Sequence, residues 1–164
     1  MRKLLWLAVL VAACGREKPR PTSPGEMYAG TWEGRSVRDS SDASVPFTMQ
    51  MTAGAEGTLS ATLAFTGSSA PAISVRTIEL SDSMITFEIG PYQSPTANKE
   101  VITRSEGRVA GDSLWGTYVM LPTAGGGVVP DMSTAQWNNA ALHPAPGSEP
   151  IRGTFTATRR RPTP

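Results

Sequence analysis

The chain is poor in the residues that much protein chemistry needs. It holds one cysteine, Cys14, and one histidine, His143. A single cysteine excludes an intramolecular disulfide and a thiolate metal cage. With one imidazole and no cluster of acids beside it, a zinc site lacks its three or four ligands. Long apolar runs are also missing. The longest, Leu4 to Ala13, is about half the roughly 20 residues that a membrane-spanning helix requires. Charge is close to balanced, with 15 basic and 14 acidic side chains, so the strongly basic face of a nucleic-acid-binding protein is excluded. No stretch repeats its apolar residues every 3.6 positions over three turns, so no long amphipathic helix is expected.

What is present at the front is more specific. Arg2 and Lys3 precede the apolar run, Ala12 and Ala13 end it, and Cys14 follows. A basic start, a short apolar core and small residues at a cleavage site are the layout of a secretory signal peptide. A core helix would leave both the leading charge and the trailing REKPRPTSPG without a reason. The four residues Val11-Ala12-Ala13-Cys14 resemble the lipobox of bacterial lipoproteins. The resemblance implies that residues 1–13 are removed and that Cys14 carries a diacylglycerol and an N-acyl chain such as palmitate. Two or more acyl chains hold a protein at a bilayer where one holds it only marginally. Gly15, rather than an aspartate, follows the cysteine, and in such lipoproteins this implies sorting to the outer membrane. The expectation is a periplasm-facing protein anchored in the outer membrane through Cys14. Loss of Arg2 and Lys3 turns 15 basic and 14 acidic side chains into 13 and 14, a net charge of −1.

Residues 14–26 contain Pro19, Pro21 and Pro24 and little apolar content, and read as an extended tether. Residues 27–161 read as one all-β domain. In SVPFTMQMT, Val45, Phe47, Met49 and Met51 share one face; in TLSATLAF, Leu59, Ala61, Leu63 and Phe65 do. The glycine-rich turn between them predicts a hairpin. In AISVRTIEL the phase slips between Val75 and Ile78, which predicts a bulge near Thr77. MITFEI alternates cleanly, GPYQSPTANK reads as a loop, and VITRSEGRV is a more polar strand. LWGTYVM and IRGTFTATR complete about eight strands, most joined by short turns, hence an antiparallel up-and-down meander. Closing it into a barrel removes exposed edges; a two-sheet sandwich is the alternative. Inward Ala61, Gly116, Gly153 and Ala157 beside larger residues either fill a narrow barrel or leave a pocket.

Gly30-Thr31-Trp32 opens the first strand. It resembles the Gly-x-Trp signature of lipocalins and related calycin barrels. The resemblance implies an eight-stranded barrel, closed at one end by Trp32, with a basic residue of the last strand packed across it. Arg159 is the candidate for that role.

The segment 122–150 has no strand pattern, yet it holds Val128, Val129, Met132, Trp137 and His143. A loop of this length in a compact domain is functional or disordered. Two placements stay open: a lid over a barrel mouth with Trp137, Val128 and Val129 inward and Gly125-Gly126-Gly127 as hinge, or an insertion lying on the barrel side. These residues are the candidate contacts for a ligand or partner. Catalytic signals are weak. His143 lies in the insertion, and no nucleophile elbow accompanies Ser133. Glu88 alternates onto the outer face, opposite Phe87. The reading is a non-catalytic barrel lipoprotein without metal or cofactor that binds a small apolar ligand in or at the mouth. The alternative is an envelope protein–protein module, or a barrel-type protease inhibitor, using the rim and the 122–150 loop.

Overall fold

A computed structural model of the chain describes residues 23–161 except 82, 124–131 and 145–147. Cys14, Val128 and Val129 lie outside the described residues. Eight strands follow one another as β1 (Gly30–Arg38), β2 (Ser44–Ala53), β3 (Leu59–Phe65), β4 (Ile73–Ser81), β5 (Met84–Gln93), β6 (Glu100–Ala110), β7 (Ser113–Pro122) and β8 (Ile151–Arg159). Every strand pairs antiparallel with the next, and β1 pairs with β8 to close the barrel. That last seam, from Trp32↔Arg159 to Arg38↔Gly153, excludes the sandwich, in which the first and last strands need not meet.

Period-two patterning sets the interior. Phe47, Met49 and Met51 of β2, and Ile85, Phe87 and Ile89 of β5, are buried in one core with Leu114, Tyr118 and Met120 of β7 and Phe155 of β8. Burial of such side chains contributes about 1.5–3 kcal/mol each. The expected slip in β4 is present: its register against β5 shifts between Val75 and Thr77. The loop read over residues 90–99 is shorter than expected. β5 runs on to Gln93 through a second shift between Ile89 and Tyr92, and pairs Gln93 with Glu100.

Beside the small inward residues Gly107, Gly116 and Gly153, neighbouring rings take up the space. Gly107 and Gly116 face each other across β6 and β7. A Cβ on either would stand 2.9 or 2.8 Å from the Phe155 ring, so the missing side chains make the seat for that ring. Phe155 in turn meets Phe47 and Phe87 edge-on at centroid distances of 6.5 and 6.0 Å, the geometry the ring quadrupoles favour.

One end of the barrel is a closed floor. The stretch read as the end of the tether contributes to it: Pro24–Tyr28 forms a short helix, α1, with Tyr28 fully buried. Trp32 is buried below it, and its Nε1 donates to the Tyr28 carbonyl at 2.8 Å. The Arg159 guanidinium lies over the Trp32 ring and donates to the Met27 carbonyl. Gly30 has φ of +131°, a backbone conformation open to glycine and strained for other residues, and Arg159 runs past it. Described chain therefore begins at the floor. The other end, where β1 stops and β2 begins, is the mouth, with loops 39–43, 66–72 and 94–99 and the end of β7 at Pro122.

A second helix, α2 (Thr134–Leu142), was not expected from the sequence. Ser133 caps it: its hydroxyl accepts from Gln136 N at 3.3 Å, and Gln136 Oε1 accepts from Ser133 N at 2.7 Å, a reciprocal capping box.

Candidate functional site

Two concave regions border the mouth half of the barrel. The first is the interior itself. A cavity of about 50 Å³ opens at the mouth, walled on the apolar side by Phe47, Met49, Leu63, Phe65, Phe87 and Ile89. The polar side comes from β6. Alternation places Val101, Thr103, Ser105, Gly107 and Val109 inward, so the two hydroxyls among these inward residues, Thr103 and Ser105, line the cavity. Thr103 and Ser105 are both buried.

Tyr92, Ser94 and Met120 tie the mouth together. The Tyr92 hydroxyl lies 2.9 Å from Thr103 Oγ1 and 3.7 Å from Met120 Sδ. Ser94 Oγ also donates to that sulfur, at 3.7 Å. Ser94 holds the 94–99 loop as well: its N–H donates to the Lys99 carbonyl, and its carbonyl accepts from Asn98 N. Across the opening the Phe65 and Tyr92 rings meet at 5.6 Å, tilted by 34°. They come from β3 and β5 and span the shortest seam of the barrel, where β3 and β4 pair through Thr62↔Ser74 and Leu63↔Ile73. Burial raises the pKa of both cavity tyrosines. For Tyr118, burial, the neighbouring Tyr92 hydroxyl and Asp39 push it up to about 12, with Arg38 acting weakly the other way. For Tyr92, burial outweighs the hydrogen bond to Thr103. Both are therefore neutral hydroxyls at physiological pH.

The second region is a groove of about 390 Å³ on the outer wall, between α2 and strands β6 to β8. Trp137 is buried here against Ile102 and Leu121, with Met132, Val119 and Ala140 around it. Ile102 and Leu121 are opposite each other and point away from the interior, out of phase with Val101, Thr103 and Met120. Trp137 thus does not face inward from a lid. Of the two placements open from the sequence, the described part of the insertion takes the barrel side. Arg104 fastens it: Nη1 donates to Glu88 Oε1 at 2.7 Å and Nη2 to Thr134 Oγ1 at 3.0 Å, joining β5, β6 and α2. Glu88 is on the outer face as its alternation implies, yet it is buried beneath this bridge.

His143 is exposed at the C-terminal end of α2, its N–H donating to the Asn139 carbonyl. Ser133 is committed to capping. Met132 and Trp137 come together on the wall; His143 joins neither region. The residues that form the cavity were not singled out from the sequence, although the alternation of VITRSEGRV, anchored by Val101 and Val109, carries the signal for Thr103 and Ser105. Among the described residues no group of three or more His, Cys, Asp or Glu side chains is placed to hold a metal.

Comparison with protein-family models, with characterised proteins and with solved structures returned no match for this chain.

Proposed function

We propose that this is a lipid-anchored envelope protein, non-catalytic and lipocalin-like, that binds a small apolar ligand at the barrel mouth. The observation that carries the reading is the open apolar cavity between β2, β3, β5 and β6, edged by hydroxyls. It is the arrangement of most small-molecule sites: an apolar lining with a few placed polar groups. The lipocalin-like part rests on Gly30-Thr31-Trp32, on the eight-stranded closed meander and on the Arg159–Trp32 stack. The anchor rests on Val11-Ala12-Ala13-Cys14. Ser23, where the described chain begins, stands at the floor end, so the reading places the anchored side of the chain at the floor and not at the mouth.

Size constrains the ligand. A water occupies about 30 Å³, so a cavity of about 50 Å³ holds one or two waters as it stands. A larger guest displaces Met49, Met120 or the Phe65–Tyr92 pair. Methionine suits that role, because its unbranched thioether repacks at low cost. A ligand that binds the folded state raises the unfolding temperature in a concentration-dependent way. Benzyl alcohol is a suitable probe: it should raise the melting temperature of the wild-type chain, and not that of Ser105→Leu, whose side chain fills the cavity. Equal stabilisation of both would overturn the assignment.

A second reading, docking of an envelope protein, draws on the outer groove, where Leu142 is 69% exposed. It ranks lower because Trp137, the aromatic anchor expected for it, is turned into the wall.

A further inference from the structure

We infer that the mouth cavity selects an uncharged ligand that presents a hydrogen-bond-accepting oxygen beside a single ring or short chain, and that Met120 holds the place of that ligand. The inference rests on the ligand-binding reading above and names the class of ligand.

Charge is the first argument. Among the described residues no acidic or basic side chain lines the cavity. A carboxylate brought inside would lose its water and find no cation, which is costly in an apolar setting. Arg38, Asp39 and Lys99 stand at the strand end and loops of the rim and are not part of the cavity wall.

The second argument is the quality of the bonds already made. Thr103 can donate to the Tyr92 oxygen, which leaves the Tyr92 proton for Met120 Sδ. With Thr96 Oγ1 donating to it at 3.2 Å, Ser94 can give its own proton to the same sulfur. A thioether is a weak acceptor, so two hydroxyl donors, the half-buried Tyr92 and the buried Ser94, converge on a poor partner. An alcohol, ether or carbonyl oxygen at the sulfur's position would accept both bonds on better terms.

Space is the third argument. Met120 leaves that position by rotating about flexible bonds, and its departure adds volume to the cavity at the point where the ligand's apolar body must follow. The oxygen and the body are thus accommodated by one movement. The walls formed by Phe47, Phe87 and Phe155 pack on one another and limit the guest to one ring or a short chain.

The test uses the purified full chain with ¹³C-methyl methionine, titrated with three probes of one shape: benzyl alcohol, toluene and benzoate. Benzyl alcohol should shift the Met120 and Met49 methyl signals saturably and leave Met132, on the outer wall, unmoved. It should bind more tightly than toluene by about 3- to 10-fold, the net effect of one hydrogen bond, and benzoate should bind least. Tyr92→Phe should reduce that preference, and Tyr92→Phe with Ser94→Ala should abolish it, while toluene binds as before; the methyl spectra report that the fold is intact. Equal binding of benzyl alcohol and toluene, or tighter binding of benzoate, overturns the selection and leaves the mouth as a ligand site. Absence of any shift with all three overturns the selection and the ligand-binding reading together.

Discussion

The Arg159 guanidinium carbon lies 4.6 Å from the centre of the Trp32 ring, and this stack joins the last strand to the first. Trp32 is held from above by the Tyr28 carbonyl and is fully buried. Arg159 also reaches the Met27 carbonyl, so one residue ties β8, β1 and α1 at the floor. Trp32→Ala should destabilise the barrel by about 3–5 kcal/mol, as for other large aromatic truncations. Arg159→Ala should cost less, about 1–3 kcal/mol, because it removes a desolvated cation–π contact and a hydrogen bond but little volume. Urea unfolding followed by circular dichroism measures both. A cost for Trp32→Ala under about 1 kcal/mol would show that the floor is not part of the core.

Much of this barrel was legible in the sequence because alternation reports burial directly. Phe47, Met49 and Met51, or Ile85, Phe87 and Ile89, can satisfy their pattern in one way only, with that face inward. Helix α2 was not legible. Its one buried residue is Trp137, with Ala140 partly buried beside it and polar Thr134 bonded to Arg104, too few apolar positions to show a period. The capping pair Ser133 and Gln136 was the available signal. The cavity was hidden for the opposite reason. Thr103 and Ser105 occupy interior positions that polar residues rarely take, so their strand read as weak. The volume left between side chains depends on how rings such as Phe155 seat against Gly107 and Gly116, and that is a property of packing in three dimensions.

All three tyrosines, Tyr28, Tyr92 and Tyr118, have their pKa raised by burial. An unfolded tyrosine ionises near pH 10, so above that pH the unfolded chain loses protons that the folded chain keeps. The tyrosine contribution to stability should therefore be constant below about pH 10 and be lost as pH rises toward 12. Absorbance at the phenolate band, followed with circular dichroism, should show tyrosine ionisation and unfolding together. Titration of a full tyrosine equivalent near pH 10 in the folded protein would contradict this.

The outer-wall cluster should behave as a separate unit. Trp137→Ala removes the contact of α2 with Ile102 and Leu121 but touches nothing in the interior. Limited proteolysis should then cleave within 132–144 roughly tenfold faster, as expected for a locally unfolded element. The β-sheet circular dichroism signal should not change. Collapse of the whole barrel in this variant would show that the insertion is part of the core.

Anchoring has its own test. Cys14→Ser should remove the acyl chains and release the protein from the membrane fraction. Mass spectrometry of the mature wild-type N-terminus should find the diacylglyceryl and acyl groups on Cys14. An unmodified Cys14 would sink the lipoprotein assignment.

The central claim is that the barrel mouth, and not the outer wall, receives a small ligand. Intermolecular nuclear Overhauser effects from benzyl alcohol to assigned methyl groups of the full chain test it most directly. The account predicts contacts to Met49, Met120, Leu63 and Ile89, which line the mouth cavity. Contacts confined to Leu142, Ala141 and Val119, which line the outer groove, would contradict it.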